Sequence, residues 1–474
     1  MKNLNSTVLA LVSACAALVS SAAPTITSGP TLAAGAKGSV VVSYTLGEAA
    51  IVTARLKLGG AYADMSVCNE SILGDVNMSL AAGAHTFTWY PLGNVAEQDF
   101  AAEVVQVELK VWPTSAPPNY RVHDLSKASS AVRYYENADD LPGEGGVTND
   151  LYKTAKMVFR YIDAAGKSFY QGSPTDEEGR GSDEDLHKVN LTKDFWLGVF
   201  PVTERQYQNA SAKVAVADFA NLPAADLRPR AILALYQLGQ WGIFKNFPLT
   251  YDGSLPMDYI RQQTGITDLN VPTEAQWEFA CRAGTETARY ADDVDRIAWY
   301  SCDAPQPVGL KEPNAWGLYD MLGNVDETTY DYYKTNLGSG EVTDPLVLNS
   351  DKASLAQENP KYYVGNANGM YDIVFKGGSW NDSADCCRAA YRFHASYSGA
   401  KTWTGARFLI PVSTVRGETE PTFYSVKLAD PFSTVCRASD DETLSTFCSF
   451  CQSILESEAI DFDNEPKGGI IILR

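Results

Sequence analysis

Apolar and polar positions alternate with a period of two in several short stretches near the start of the chain. Ser39-Val-Val-Val-Ser-Tyr44 and Ala50-Ile-Val-Thr-Ala-Arg-Leu56 are β-branched runs bounded by turn residues, and His85–Trp89 and Val105–Val111 alternate strictly. Gly83-Ala84 and Pro91-Leu-Gly93 punctuate them. Short strands at this spacing predict an all-β sandwich over residues 24–113. Thr114-Ser-Ala-Pro-Pro-Asn119 has linker composition and opens a polar bridge, so 114–155 reads as a linker. From 156 to 410 the texture changes to frequent glycines and aromatics with little periodicity, which predicts an α+β domain of short strands and long ordered loops. Two helices stand out there. Arg230–Gln240 is amphipathic, and Glu274–Arg282 follows a Thr273 N-cap and is stopped by Gly284. Residues 411–474 form an acidic tail with an amphipathic stretch near 441–456 and an apolar end, Gly468–Leu473, to which the pattern assigns no fold.

Length and charge narrow the picture. A chain of 474 residues is long for one core, so two or more domains are expected. The formal net charge of −20 argues against nucleic acid or an anionic membrane as partner. At the N-terminus, Lys2 precedes an apolar run, Val8–Val19, that is too short to span a bilayer, and Ser20-Ser-Ala-Ala23 offers a cleavage site. Residues 1–23 therefore read as a signal peptide of a secreted or periplasmic protein, with no later membrane-spanning segment. Val12-Ser-Ala-Cys15 keeps a lipoprotein reading open. Cleavage leaves eight cysteines, too few for a disulfide-built fold of this size, and Cys448-Ser-Phe-Cys451 lacks the second pair that a zinc site would need. The four histidines are far apart in sequence, which disfavours a multi-histidine metal site. A Gly-rich phosphate loop and a Gly-x-Ser-x-Gly elbow are both missing from the sequence.

The chemistry concentrates in five blocks. They are Ser168–Arg180 leading to His187-Lys-Val-Asn-Leu-Thr192; Phe195-Trp-Leu-Gly-Val-Phe-Pro-Val-Thr203; Val271–Ala280; Pro313-Asn-Ala-Trp-Gly-Leu-Tyr-Asp-Met-Leu-Gly-Asn324; and Phe375-Lys-Gly-Gly-Ser-Trp380 with Cys386-Cys387-Arg388-Ala-Ala-Tyr-Arg392 and Gly405-Ala-Arg-Phe408. In this order they resemble the formylglycine-generating enzyme family, the sulfatase-modifying-factor domain, over about 156–410. The resemblance implies a C-type-lectin-like core. It also implies an oxidase that uses oxygen and copper held by two cysteines to convert a sulfatase cysteine to formylglycine. Thiolates are soft ligands that select copper(I). The family's first cysteine falls on Asp382, its second on Cys387, its active-site serine on Ser379 and its oxygen-pocket tryptophan on Asp326. Cys386 is the candidate substitute ligand, so Cys387, Ser379 and Cys386 are the candidate catalytic residues and Cys387 the candidate copper ligand. A family calcium site carries over to Asp320, Gly323, Val325 and Glu327, whose carboxylates and carbonyls suit that hard ion. The N-terminal pattern is similar to bacterial immunoglobulin-like domains of the flagellar-hook-cap type.

Arg388, Arg392 and Arg407 are expected to pair with carboxylates inside the fold. Trp380, Tyr391, Tyr397 and Trp403 are candidates for lining a groove. The leading expectation is an exported family member with an altered copper site that binds a protein, peptide or glycan, a sulfatase among the candidates. The alternatives are an active copper-dependent oxidase and a calcium-stabilised structural protein of the cell surface.

Overall fold

The computed structural model describes residues 23–35, 39–90, 105–125, 132–206, 261, 265–347, 372–396, 403–412 and 420–427. The leader, the helix expected over Arg230–Gln240, Tyr397, the Cys448/Cys451 pair and the stretch near 441–456 lie outside these residues.

The N-terminal strands form two antiparallel sheets. One runs β1 (Ile26–Ala34), β2 (Val40–Leu46), β7 (Gly83–Trp89) and β5 (Ile72–Gly74); the other contains β8 (Val105–Trp112), β3 (Ala50–Leu58) and β4 (Ala61–Tyr62), with β6 (Met78–Leu80) also on β3. Period-two alternation buries Val40, Val42, Tyr44 and Leu46 from β2 against Val52, Ala54 and Leu56 from β3, with Phe87 and Trp89 completing one shared core. The second sheet has an unexpected outer member. Strand β21 (Thr422–Lys427), from the tail that the pattern left unassigned, pairs antiparallel with β8 in the register Thr422↔Val111 to Lys427↔Gln106. The chain thus returns to its first module after crossing the second.

The stretch read as a linker, 114–155, requires correction. It carries β9 (Tyr120–Asp124) and β10 (Arg133–Tyr135), which belong to a five-stranded sheet ordered β10, β9, β11 (Lys156–Ile162), β14 (Phe195–Gly198) and β20 (Leu409–Pro411). Its polar composition misled because the apolar buried side of these short strands is only Tyr120, Val122 and Tyr135, with the polar His123 buried beside them. The same stretch also joins the two modules: Arg133 donates to the Val76 carbonyl at 2.8 Å, and Tyr134 N to Asn77 O at 2.7 Å.

Two further sheets complete the second module. Strands β12 (Lys167–Gln171), β13 (His187–Leu191) and β16 (Val342–Thr343) form one; β18 (Arg392–Ser396), β17 (Asp372–Lys376), β15 (Asp326–Tyr332) and β19 (Thr404–Gly405) form the other. Helices are few. The N-terminal module contains the one-turn α1 (Met65–Cys68). In the second module α2 (Glu274–Arg282) begins as expected, with Thr273 and Gln276 closing a capping box, and ends at Ala283 and Gly284, both with positive φ. Trp277, Ala280 and Cys281 from α2 pack with Leu318, Met321, Leu322 and Cys387 in one core cluster. This cluster backs the candidate site.

Candidate functional site

The Gly-Gly-Ser-Trp block forms a tight turn after β17. Gly377 and Gly378 have φ of 98° and 72°, and a Cβ on either would lie 2.8 Å from a backbone oxygen, of Met321 and Cys386 respectively. The turn is tied to the neighbouring loop, since Gly377 O accepts from Gly323 N and Trp380 N donates to Asn324 O. Just beyond it, Asp382 Oδ2 accepts from Ser379 Oγ at 2.5 Å and from Ser379 N at 3.0 Å. The one-turn helix that follows, Ala384–Cys386, presents the two cysteines differently. Cys387 is fully buried in the apolar cluster behind the site, and burial pushes its thiol pKa strongly up. Cys386 is half-buried; its pKa is also raised, chiefly by burial, although the Tyr391 hydroxyl donates to its sulfur. Every cysteine among the described residues is a free thiol.

Strand β15 sends adjacent carboxyls to opposite sides. Glu327 is buried and saturated. Arg407 forks onto it, Nη2 at 2.7 Å from Oε1 and Nε at 3.0 Å from Oε2, and Trp277 Nε1 donates to Oε2 at 2.7 Å. Asp326 faces the glycine turn, is 1% exposed, and has an oxygen with no hydrogen-bond partner. Gly378 N–H donates to its carboxyl, but burial, reinforced by the charge of Asp382, raises its pKa well above the usual carboxylate range. Asp326 and Asp382 both lie close enough to Cys386, Cys387 and Tyr391 to shift their titration upward.

The sulfatase-modifying factor enzyme 1-like domain matches residues 152–411, more than half of the chain. The chain belongs to this family. Among curated proteins it is similar to the formylglycine-generating enzyme of Mycobacterium tuberculosis, 26% identical over 318 residues that cover 54% of this chain and all of that one. It is also similar to the serine/threonine-protein kinase pkn1 of Chlamydia pneumoniae, 26% identical over 315 residues, or 58% of this chain. The chain spans 46% of the length of that relative. Among solved structures, PvdO from Pseudomonas aeruginosa aligns over 56% of this chain and 97% of its own at 20% identity, with a TM-score of 0.38.

For this sulfatase-modifying-factor domain, the positions named from sequence sort into two groups. Ser379, Asp382, Cys386 and Asp326 come together around the glycine turn, with Cys387 behind them. The four positions of the expected calcium site each sit among protein partners. Asp320 Oδ2 accepts from Gly309 N, and burial raises its pKa to about 6; Gly323 lies against Trp299; Val325 is buried; and Glu327 is held by Arg407. Among the described residues, no group of three or more His, Cys, Asp or Glu side chains could hold a metal ion. The three arginines pair as expected. Arg388 meets Glu184 and Glu177 at 2.7 Å, Arg392 meets Glu274 at 2.6 Å, and Arg407 meets Glu327. Burial alone would raise Glu274, but Arg392 and Lys376 overcome it and hold the carboxyl below its usual range.

Sequence reasoning missed the partner of this network, Lys376. It is fully buried, 3.1 Å from Glu278 and 3.6 Å from Glu274. Glu274 and Glu278, one helical turn apart beside the apolar Ala275, Trp277 and Phe279, were the available signal. The confrontation of Asp326 with Asp382 was missed too, although both substitutions were visible.

Proposed function

We propose that this protein is an exported member of the formylglycine-generating enzyme family whose copper site is altered and whose work is binding rather than cysteine oxidation. The observation that carries the reading is the donor set at the glycine turn. A dithiolate copper(I) centre needs two soft, ionised sulfurs. Here one family position is Asp382, a hard oxygen ligand already accepting from Ser379, and the other is Cys387, whose thiol is kept protonated by its apolar surroundings. Asp326 at the oxygen-pocket position adds a second carboxyl in place of an indole. These residues do not fit copper(I). Nor does Glu327 fit a calcium ion while Arg407 and Trp277 take up its oxygens.

Export is supported by the leader-like pattern of residues 1–23. The N-terminal pair of sheets around one core is consistent with an immunoglobulin-like module serving as spacer or adhesion unit. A peptide, protein or glycan partner fits a family domain that keeps its scaffold and changes its reactive groups. The direct test is mass spectrometry of a cysteine peptide bearing a sulfatase-type motif, after incubation with the full chain, copper(I) and oxygen. No aldehyde is expected. Formation of formylglycine that depends on Cys387 would overturn the reading.

A further inference from the structure

We propose that the carboxyl pair Asp326–Asp382 forms the floor of a recognition site for a cationic nitrogen group, the ammonium or guanidinium of a basic peptide side chain. This inference rests on the reading of the site as one of binding.

Four observations carry it. Asp326 is 1% exposed, yet one oxygen has no hydrogen-bond partner, so a buried acceptor is left without a donor. It is not stranded at random, because the carboxyl is held by Gly378 N–H and faces Asp382 across the glycine turn. Secondly, the two hydroxyls nearest it are already committed. The Ser379 hydroxyl is spent on Asp382, and the Tyr391 hydroxyl donates to Cys386. Thirdly, the cluster is graded towards solvent. Asp382, Cys386 and Tyr391 are partly exposed while Asp326 and Ser379 lie beneath. Finally, three buried carboxylates of the neighbouring network each have a cation of their own: Lys376 for Glu278, Arg392 for Glu274, Arg407 for Glu327. The Asp326–Asp382 pair has none among the described residues.

The chemistry of the occupant follows. Two carboxyls repel an anion and offer nothing to an apolar group. A metal ion is disfavoured, since no set of three or more ligating side chains converges here among the described residues. A nitrogen cation supplies what is missing, namely positive charge and N–H donors in one small group. The partly exposed Trp380 and Tyr391 beside the pair add aromatic surface of the kind such cations favour. The net charge of −20 draws a basic segment to the protein from a distance.

The test is calorimetric titration of the full chain with capped tripeptides in which glycines flank lysine, arginine or norleucine. The lysine or the arginine peptide is expected to bind and the norleucine peptide to fail; which of the two cations wins identifies the side chain. Asp326→Asn, and separately Asp382→Asn, should weaken binding by about tenfold or more, the worth of a charge-assisted hydrogen bond. Asp163→Asn, an exposed acid elsewhere on the domain, should leave it unchanged. Near-UV circular dichroism reports whether each variant keeps its packing. The proposal is overturned if no peptide binds, if norleucine binds as well as the cations, or if a natively folded Asp326→Asn retains full affinity. Those failures leave the loss of copper chemistry untouched, which the aldehyde assay reads independently.

Discussion

Asp326 and Glu327 are neighbours on one strand, equally buried, and their surroundings are opposite. Glu327 meets a guanidinium fork and an indole N–H, so its charge is compensated on every accessible side. Asp326 meets another carboxyl and one backbone N–H, and an oxygen is left without a partner. The Glu327 side belongs to a set of buried ion pairs that includes Arg388 with Glu184, Arg392 with Glu274 and Lys376 with Glu278. That set clamps helix α2, strand β17 and the acidic loop before β13 together where regular structure is scarce. The difference separates charge that holds the fold from charge that the fold tolerates at a site.

The sharpest way to break this comparison is to remove one charge from each side. Arg407→Met leaves Glu327 buried without its cation and should lower stability by about 3–5 kcal/mol in denaturant unfolding. Asp326→Asn should leave stability unchanged or raise it, because burial of this carboxyl opposes its charged form. Equal losses in the two variants would erase the distinction.

A pH titration sharpens it next. Asp331 is also buried, and burial, followed by the charge of Glu274, outweighs the backbone N–H donors and nearby Arg392 and raises its pKa from 3.8 to about 7. A raised pKa means that the folded state binds the proton more tightly than the unfolded one. The contribution of Asp331 to stability is therefore full below about pH 4 and declines as pH rises through about 7, by on the order of a few kcal/mol. Unfolding midpoints across that range should show the decline, and Asp331→Asn should flatten it. A variant with an unchanged slope would assign the pH dependence to other groups.

Gly378→Ala tests the turn that sets the two sides apart. Its φ of 72° and the 2.8 Å approach to Cys386 O should make the substitution cost about 1–3 kcal/mol, with a lowered Tm. The smallest effect concerns the cap of α2: Thr273→Ala removes the acceptor for Gln276 N and should cost about 1 kcal/mol.

Local features were the ones legible in the chain. Alternation in Ser39–Tyr44 and Val105–Val111, and the Thr273 cap with its Gly284 stop, are dictated within a few residues and were read correctly. The three arginines could be assigned to internal pairs because a guanidinium among aromatics and glycines has few other uses, though the identity of each carboxylate was not readable. What sequence concealed is non-local. Thr422–Lys427 alternates plainly, but its pairing with β8 depends on an edge that forms far earlier in the chain. A lysine is ordinarily exposed, so nothing local announced that Lys376 is fully buried. Asp326 and Asp382 were each visible as departures from the family pattern, but only the fold turns them towards each other across two glycines.

The central claim, that the family scaffold persists here without its copper chemistry, is tested most directly by titrating the full-length protein with copper(I) against a chromophoric chelator. The expected result is no stoichiometric transfer of copper from the chelator and no difference between the wild-type chain and Cys387→Ala. Retention of one equivalent of copper(I), abolished by Cys387→Ala, would contradict it.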